Sequence, residues 1–141
     1  MQNLRKYVLF AFMAVFVASL AIVPAHAQGR LEANVPFDFV LGQANMKADS
    51  YRIESQGSIV AFVDAEGRAR YSMYLPGSDA ADSHNGAPYL VFTRYGTETF
   101  LSRIVFSPNQ TYDLPRSSKE KELAARLNSG EQVAVAIEVA R

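Results

Sequence analysis

Apolar and polar residues alternate along most of this chain with a period of two. Short clusters of Gly, Pro, Asn, Asp and Ser interrupt the alternation. Together these signals predict short strands joined by turns. The most apolar stretch is Pro88–Phe106, PYLVFTRYGTETFLSRIVF, two β-branched and aromatic halves on either side of Gly96-Thr97. Glycine at the first central position of a two-residue loop suits a type II′ turn. The register then pairs Tyr95 with Glu98, Thr93 with Phe100, Val91 with Ser102 and Tyr89 with Ile104. One face carries Tyr89, Val91, Phe100, Ile104 and Phe106, the other Leu90, Phe92, Leu101 and Val105. A ribbon apolar on both faces belongs in the middle of a fold, covered on each side.

The rest follows in order. Val35, Phe37, Phe39 and Leu41 place a strand over 31–41, and Pro36, without an N–H, marks an edge strand or a strand's start. Lys47–Ser50 reads as a turn into Tyr51-Arg52-Ile53-Glu54, which alternates cleanly. Ser55-Gln56-Gly57 turns again, and Ile59–Val63 is a short continuous apolar run. A hairpin over Asp64–Gly67 leads to Arg68–Leu75, where Tyr71, Met73 and Leu75 share a face. Pro76–Pro88 has turn composition and no apolar periodicity. After Ser107–Gln110 and a short extended piece, Thr111–Leu114, comes the one helix. Ser117 and Glu120 form a capping box, Leu123 and Leu127 stack, and Asn128-Ser129-Gly130 stops it. Its narrow apolar stripe predicts that it lies on a sheet or plugs the end of a barrel. Val133, Val135, Ile137 and Val139 form a closing strand. Seven or eight strands with one late helix predict an all-β fold, an antiparallel sandwich or a small, partly open barrel, with one helix in the C-terminal region.

The N-terminus adds a destination. Arg5 and Lys6 precede an apolar run, Tyr7–Val23, then Pro24 and Ala25-His26-Ala27. This is the layout of a secretory signal peptide, a leader helix cleaved before Gln28. An uncleaved anchor is the alternative, since 17 apolar residues are at the lower limit for a membrane span. The reading is therefore a signal peptide over 1–27 and one β-rich domain over 28–141. The protein is expected to be exported, periplasmic or secreted, touching membrane only through a retained leader. Removing 27 of the 141 residues takes away Arg5 and Lys6, leaving 12 Lys+Arg against 14 Asp+Glu and a net charge of −2. That balance gives no reason to expect nucleic acid as a partner. With no Cys, the domain must hold by its core alone.

Several blocks stand in a recognisable order: Val35-Pro36-Phe37-Asp38-Phe39, Tyr51-Arg52-Ile53-Glu54, Leu90-Val91-Phe92 with Arg94-Tyr95-Gly96, Phe100-Leu101, and Leu114-Pro115-Arg116-Ser117-Ser118-Lys119 with Glu122-Leu123. In these the chain resembles a family of short exported proteins of soil-dwelling acidobacteria that has no assigned function. The resemblance covers most of the mature chain and implies export and an all-β fold. It implies no catalytic residues. Where family members carry Gly before the Tyr-Arg pair, this chain has Asp49-Ser50.

The chemistry is sparse. His84, the only His after the leader, lies in 76–88 beside Asp79, Asp82 and Asn85, without the ligand spacing of a calcium loop or zinc site. Gly-x-Ser-x-Gly and phosphate-binding glycine loops are missing. No catalytic, cofactor-binding or metal residues are assigned. Carboxylate-pair hydrolysis needs two inward acids, and Asp38, Glu54, Glu98 and Glu138 fall on polar sides or turns. A binding role is better served. Tyr71, Tyr74, Tyr89, Tyr95 and Tyr112 suit a half-wet interface, with Arg68, Arg70, Arg94 and Arg103 nearby. Tyr74, Tyr89, Tyr95 and Arg94 form the candidate recognition surface, for an envelope protein, a glycan or a small ligand; half-buried sheet tyrosines are the plainer reading. The expected function is a non-catalytic binding or structural role in the cell envelope. The alternatives are a barrel carrying a small apolar ligand and a carboxylate-dependent hydrolase. A structural role would use the Leu31–Leu41 strand or the closing strand as an edge for another chain.

Overall fold

The computed structural model describes residues 30–77 and 86–140. The leader, and the loop residues Asp79, Asp82, His84 and Asn85, lie outside the described residues. In chain order the strands are β1 (Arg30–Val35), β2 (Phe39–Leu41), β3 (Ala44–Met46), β4 (Asp49–Gln56), β5 (Ile59–Val63), β6 (Ala69–Met73), β7 (Leu75–Pro76), β8 (Tyr89–Tyr95), β9 (Glu98–Ser107), β10 (Gln110–Asp113), β11 (Glu131–Ala136) and β12 (Glu138–Ala140). The helix α1 (Ser118–Leu127) lies between β10 and β11. The fold is all-β with one late helix, as the alternation predicts, although twelve strand segments replace the expected seven or eight.

Two antiparallel sheets face each other. The first runs β12-β1-β4-β5-β6 and the second β11-β8-β9-β10-β7, with the β2–β3 hairpin joined to β9 by a parallel pairing of Val40 with Phe100. The chain crosses between the sheets four times, from β1 to β2, β3 to β4, β6 to β7 and β11 to β12, and the last two crossings are single-residue corners. Tyr74 separates β6 from β7, and Ile137 separates β11 from β12. Strands that switch sheets at a bend are how such sandwiches make corners, and here they curl the pair into a half-barrel. Ile137 is buried at its corner and donates its N–H to the Pro88 carbonyl at 3.0 Å.

The expected Leu31–Leu41 strand is divided. Pro36 cannot donate, and Asp38 turns back to accept from the Ala48 N–H at 2.9 Å, so β1 and β2 enter different sheets. Consequently β1 is an interior strand between β12 and β4, not an edge. The central hairpin turns at Gly96, φ 63°, with no positive φ at Thr97, as a type II′ turn requires. Its register agrees with the alternation from Tyr95↔Glu98 to Phe92↔Leu101, then slips: Val91 pairs with Arg103, leaving Ser102 as a bulge. The slip moves Ile104 and Phe106 to the face of Leu90, Phe92 and Leu101, so both belong to the main core rather than beside Phe100.

That core is aromatic at its centre. Phe39 meets Phe92 of the second sheet at 5.2 Å and Tyr51 and Phe62 of the first at 5.6 and 6.2 Å, each ring edge to face. A smaller cluster, Val40, Tyr95, Phe100 and Leu123, lies on the outer face of the second sheet under α1. Ser117 caps α1 by accepting from the Glu120 N–H at 3.1 Å, and Asn128 ends it at φ 60°. Glu120 itself turns inward and is only 4% exposed, its carboxylate 3.9 Å from the Arg116 guanidinium.

Candidate functional site

The tyrosines of the expected recognition surface are inside. Tyr74 is 7% exposed, and its hydroxyl donates to the Gly57 carbonyl at 2.6 Å. Its neighbour Tyr112 stacks on it with centroids 4.2 Å apart. Tyr89 is buried in β8, and Tyr95 lies beneath α1 against Phe100. Arg94 lies 5.5 Å over the Phe37 ring and donates to the Thr99 hydroxyl. Tyr74, Tyr89, Tyr95 and Arg94 therefore do not form one exposed surface. The physical reason is that the half-barrel covers both sides of the hairpin and closes its corner on Tyr74. Arg103 is paired with Asp113 at 2.5 Å, and the Ser102 bulge places it on the Val91 side, away from Arg94.

The predicted carboxylates stay apart. Asp38 accepts from Lys47 Nζ at 2.8 Å, which with the Ala48 N–H holds it below its usual range. Glu54 pairs with Arg52, and Glu98 with Lys119, at 2.7 and 2.8 Å. Glu138 lies exposed on β12. Two acids that sequence reasoning passed over, Asp49 and Asp64, do share a pocket. It is an open hollow of about 210 Å³ at the mouth of the half-barrel, lined by Asn45, Met46, Lys47, Tyr51, Arg68 and Arg70 besides these two. The signal for it was weak: both acids stand at strand ends, where turn bonding is the usual role.

Asp64 follows that role. Its Oδ1 accepts from the N–H groups of Glu66 and Arg68, and its Oδ2 from Arg68 Nε at 2.8 Å. Partial burial works against its charge, but the Arg68 hydrogen bonds outweigh it and hold Asp64 low. Asp49 accepts from the Ser50 N–H at 2.8 Å. Asp64 is thus held away from the range of a general acid. Tyr51 is raised, by burial and by the charges of Asp49 and Asp64, and donates its hydroxyl to the Lys47 carbonyl at 2.6 Å. It remains a neutral donor. The Glu120 carboxyl is pushed upward, by burial against a smaller opposing pull from Arg116, but it lies on the buried side of α1 rather than in the mouth.

Beside the mouth runs β6, and here the surface changes character. Arg68 and Arg70 point to the pocket side, while Tyr71 and Met73 point outward at 68% and 65% exposure. Leu75 and Ile59, which pairs with Met73, continue the strip at 60% and 46%. The shared face that the alternation assigns to Tyr71, Met73 and Leu75 is thus the solvent face. Four of the six exposed large apolar side chains of the described residues lie in this strip. A contiguous exposed strip, unlike scattered exposed residues, marks a contact surface. Comparison with protein-family models, with curated proteins and with solved structures finds no match.

Proposed function

We propose that this chain is a small exported β-domain with a non-catalytic binding or structural role in the cell envelope, and that it makes contact through the outer face of β6. The observation that carries this reading is the exposed strip of Ile59, Tyr71, Met73 and Leu75. It is supported by the mouth beside it, where the acid best placed to react, Asp64, is tied into its own turn by three hydrogen bonds. Export rests on Arg5, Lys6, the Tyr7–Val23 run and Ala25-His26-Ala27. The resemblance to the exported acidobacterial proteins belongs to the same proposal. An apolar-ligand carrier has less support, because the space between the sheets is filled by Phe39, Phe62, Phe92 and their neighbours.

The test uses the full chain expressed in a Gram-negative host, with a photo-reactive phenylalanine analogue at Tyr71 or, as control, at Glu32 on β1. Fractionation and intact mass should find the mature protein beginning at Gln28 outside the cytoplasm. Crosslinking from position 71, and not from 32, to an envelope component is the expected result. Equal crosslinking from both positions, or none from 71, refutes the role assigned to β6.

A further inference from the structure

Strand β6 ends its sheet, and its backbone has a definite sidedness. The Asp64 N–H donates to the Arg68 carbonyl and the Tyr74 N–H to the Ser58 carbonyl, both at 3.0 Å. These two bonds bracket the β5–β6 ladder, in which Val60 faces Ser72 and Phe62 faces Arg70. Bonded and non-bonded pairs alternate in an antiparallel ladder. Residues 68, 70, 72 and 74 therefore turn their backbone groups toward β5, and Ala69, Tyr71 and Met73 turn theirs to the open edge. No described strand pairs there. The Met73 carbonyl receives the Ser72 hydroxyl at 3.2 Å, but no described acceptor takes the N–H of Tyr71 or Met73. The two residues whose backbone N–H groups have no described acceptor are the two that show the most apolar surface.

We infer that this edge takes an added strand: an extended peptide segment with apolar side chains at alternate positions and an acidic side chain between them. This rests on the binding role proposed above. Edge N–H groups without a described acceptor call for a backbone that offers carbonyls in register, which only an extended chain does. Tyr71 and Met73 face one side of that chain and select apolar residues. Arg70 faces the other side. It is exposed and has no carboxylate partner among the described residues, only the Ala69 carbonyl at 3.4 Å, so it selects an acid. The Gly42 turn closes on Ser72 from the inner face, an added Cβ lying 3.3 Å from its Oγ, which leaves the outer side for approach.

Size and charge argue against a second copy as the occupant. At 46–68% exposure the four side chains of the strip offer on the order of 450 Å², taking about 200 Å² for a fully exposed large side chain. A stable subunit contact needs about 800 Å² from each partner. Self-pairing about Tyr71 would also set Arg70 diagonal to its own counterpart on the same face, a like-charge contact.

The probe is a capped heptapeptide alternating threonine with valine, with one threonine replaced by glutamate, and a glutamine version for comparison. Amide hydrogen exchange is read by NMR on the mature chain. The expected result is at least tenfold slower exchange at Tyr71 and Met73 as the glutamate peptide saturates, with Ile59 unchanged. Arg70→Gln should weaken the glutamate peptide two- to fivefold and leave the glutamine peptide alone. The inference fails if millimolar peptide leaves both amides unchanged, or if the perturbation centres on Met46–Tyr51. It also fails if those amides are already protected in a peptide-free dimer. Crosslinking from position 71 alongside unprotected amides would remove strand addition and keep the binding role. Absence of crosslinking removes the binding role whatever the peptide does.

Discussion

Replacing Tyr74 by phenylalanine removes one oxygen from the corner where the chain leaves the first sheet for the second. That oxygen donates to the Gly57 carbonyl at 2.6 Å from a residue 7% exposed. A hydrogen bond of this kind contributes about 1 kcal/mol net, and Gly57 is exposed, so its carbonyl recovers water and the loss stays near that figure. For a domain of this size the melting midpoint should fall by about 4 °C. Alanine at the same position also removes the ring that stacks on Tyr112 at 4.2 Å and should cost about 3–5 kcal/mol. Tyr71→Phe, three residues earlier and 68% exposed, is the control and should lie within about 0.5 kcal/mol of the parent. Urea denaturation followed by near-ultraviolet circular dichroism separates the three variants. The pH dependence adds a second reading. Burial, with Tyr112 beside it, raises the Tyr74 phenol above its usual 10.0, so the unfolded chain loses that proton first. The folded protein then holds more protons above about pH 10, and stability falls as pH rises; Tyr74→Phe should soften that fall. A Tyr74→Phe variant as stable as the parent, or a Tyr71→Phe variant equally damaged, would refute the assignment of inside and outside along β6–β7.

Two further substitutions and one deletion test other parts of the fold. Glu120→Gln should stabilise the protein at neutral pH, because burial disfavours the ionised carboxylate. Since its folded pKa is raised, the parent regains stability as pH falls toward the ordinary 4.5, so the two denaturation midpoints should converge on acidification. Gly130→Ala would place a Cβ 2.7 Å from the Tyr95 ring and closer still to the Thr93 methyl, so a loss of about 1–3 kcal/mol is expected by thermal melting. Deleting Ser102 removes the bulge yet leaves Arg103 opposite Val91 and Ile104 opposite Leu90 on the core face, so the shortened chain should stay soluble and melt cooperatively; an unfolded product from that deletion would contradict the observed register.

Much of this architecture was legible because its causes are local. Gly96 marks its turn by the conformation that turn demands, Ser117 marks the helix start, and clean alternation marks Tyr51–Glu54. What escaped depends on partners distant in sequence. The Ser102 bulge follows from how β8 and β9 fit around a shared core, and a one-residue slip reverses every assignment beyond it. Pro36 and Asp38 announce a break, but only the bonds to Lys47 and Ala48 make it a change of sheet. The tyrosines show why residue type alone does not locate a surface. Tyr71 and Tyr74 share an apolar ring and a polar tip, and the corner between β6 and β7 decides which is wet. Asp49 and Asp64 were hidden as a pair because fifteen positions and a hairpin turn separate them.

The first strand of the described domain has the last as its neighbour: Arg30 pairs with Ala140, Leu31 with Val139 and Glu32 with Glu138. A chain synthesised or threaded through a pore from its N-terminus must therefore wait for its final residues before β1 has both flanks filled. Until then an apolar strand keeps one open margin, and the closing pairing spans nearly the whole polypeptide, the kind of non-local contact that slows folding. The same adjacency would let a short linker join the two ends and a new opening be cut at the exposed Gly67 turn. Such a rewired chain makes the β12–β1 pairing local and the β5–β6 pairing its most distant, so its first sheet should again close only when the last strand arrives.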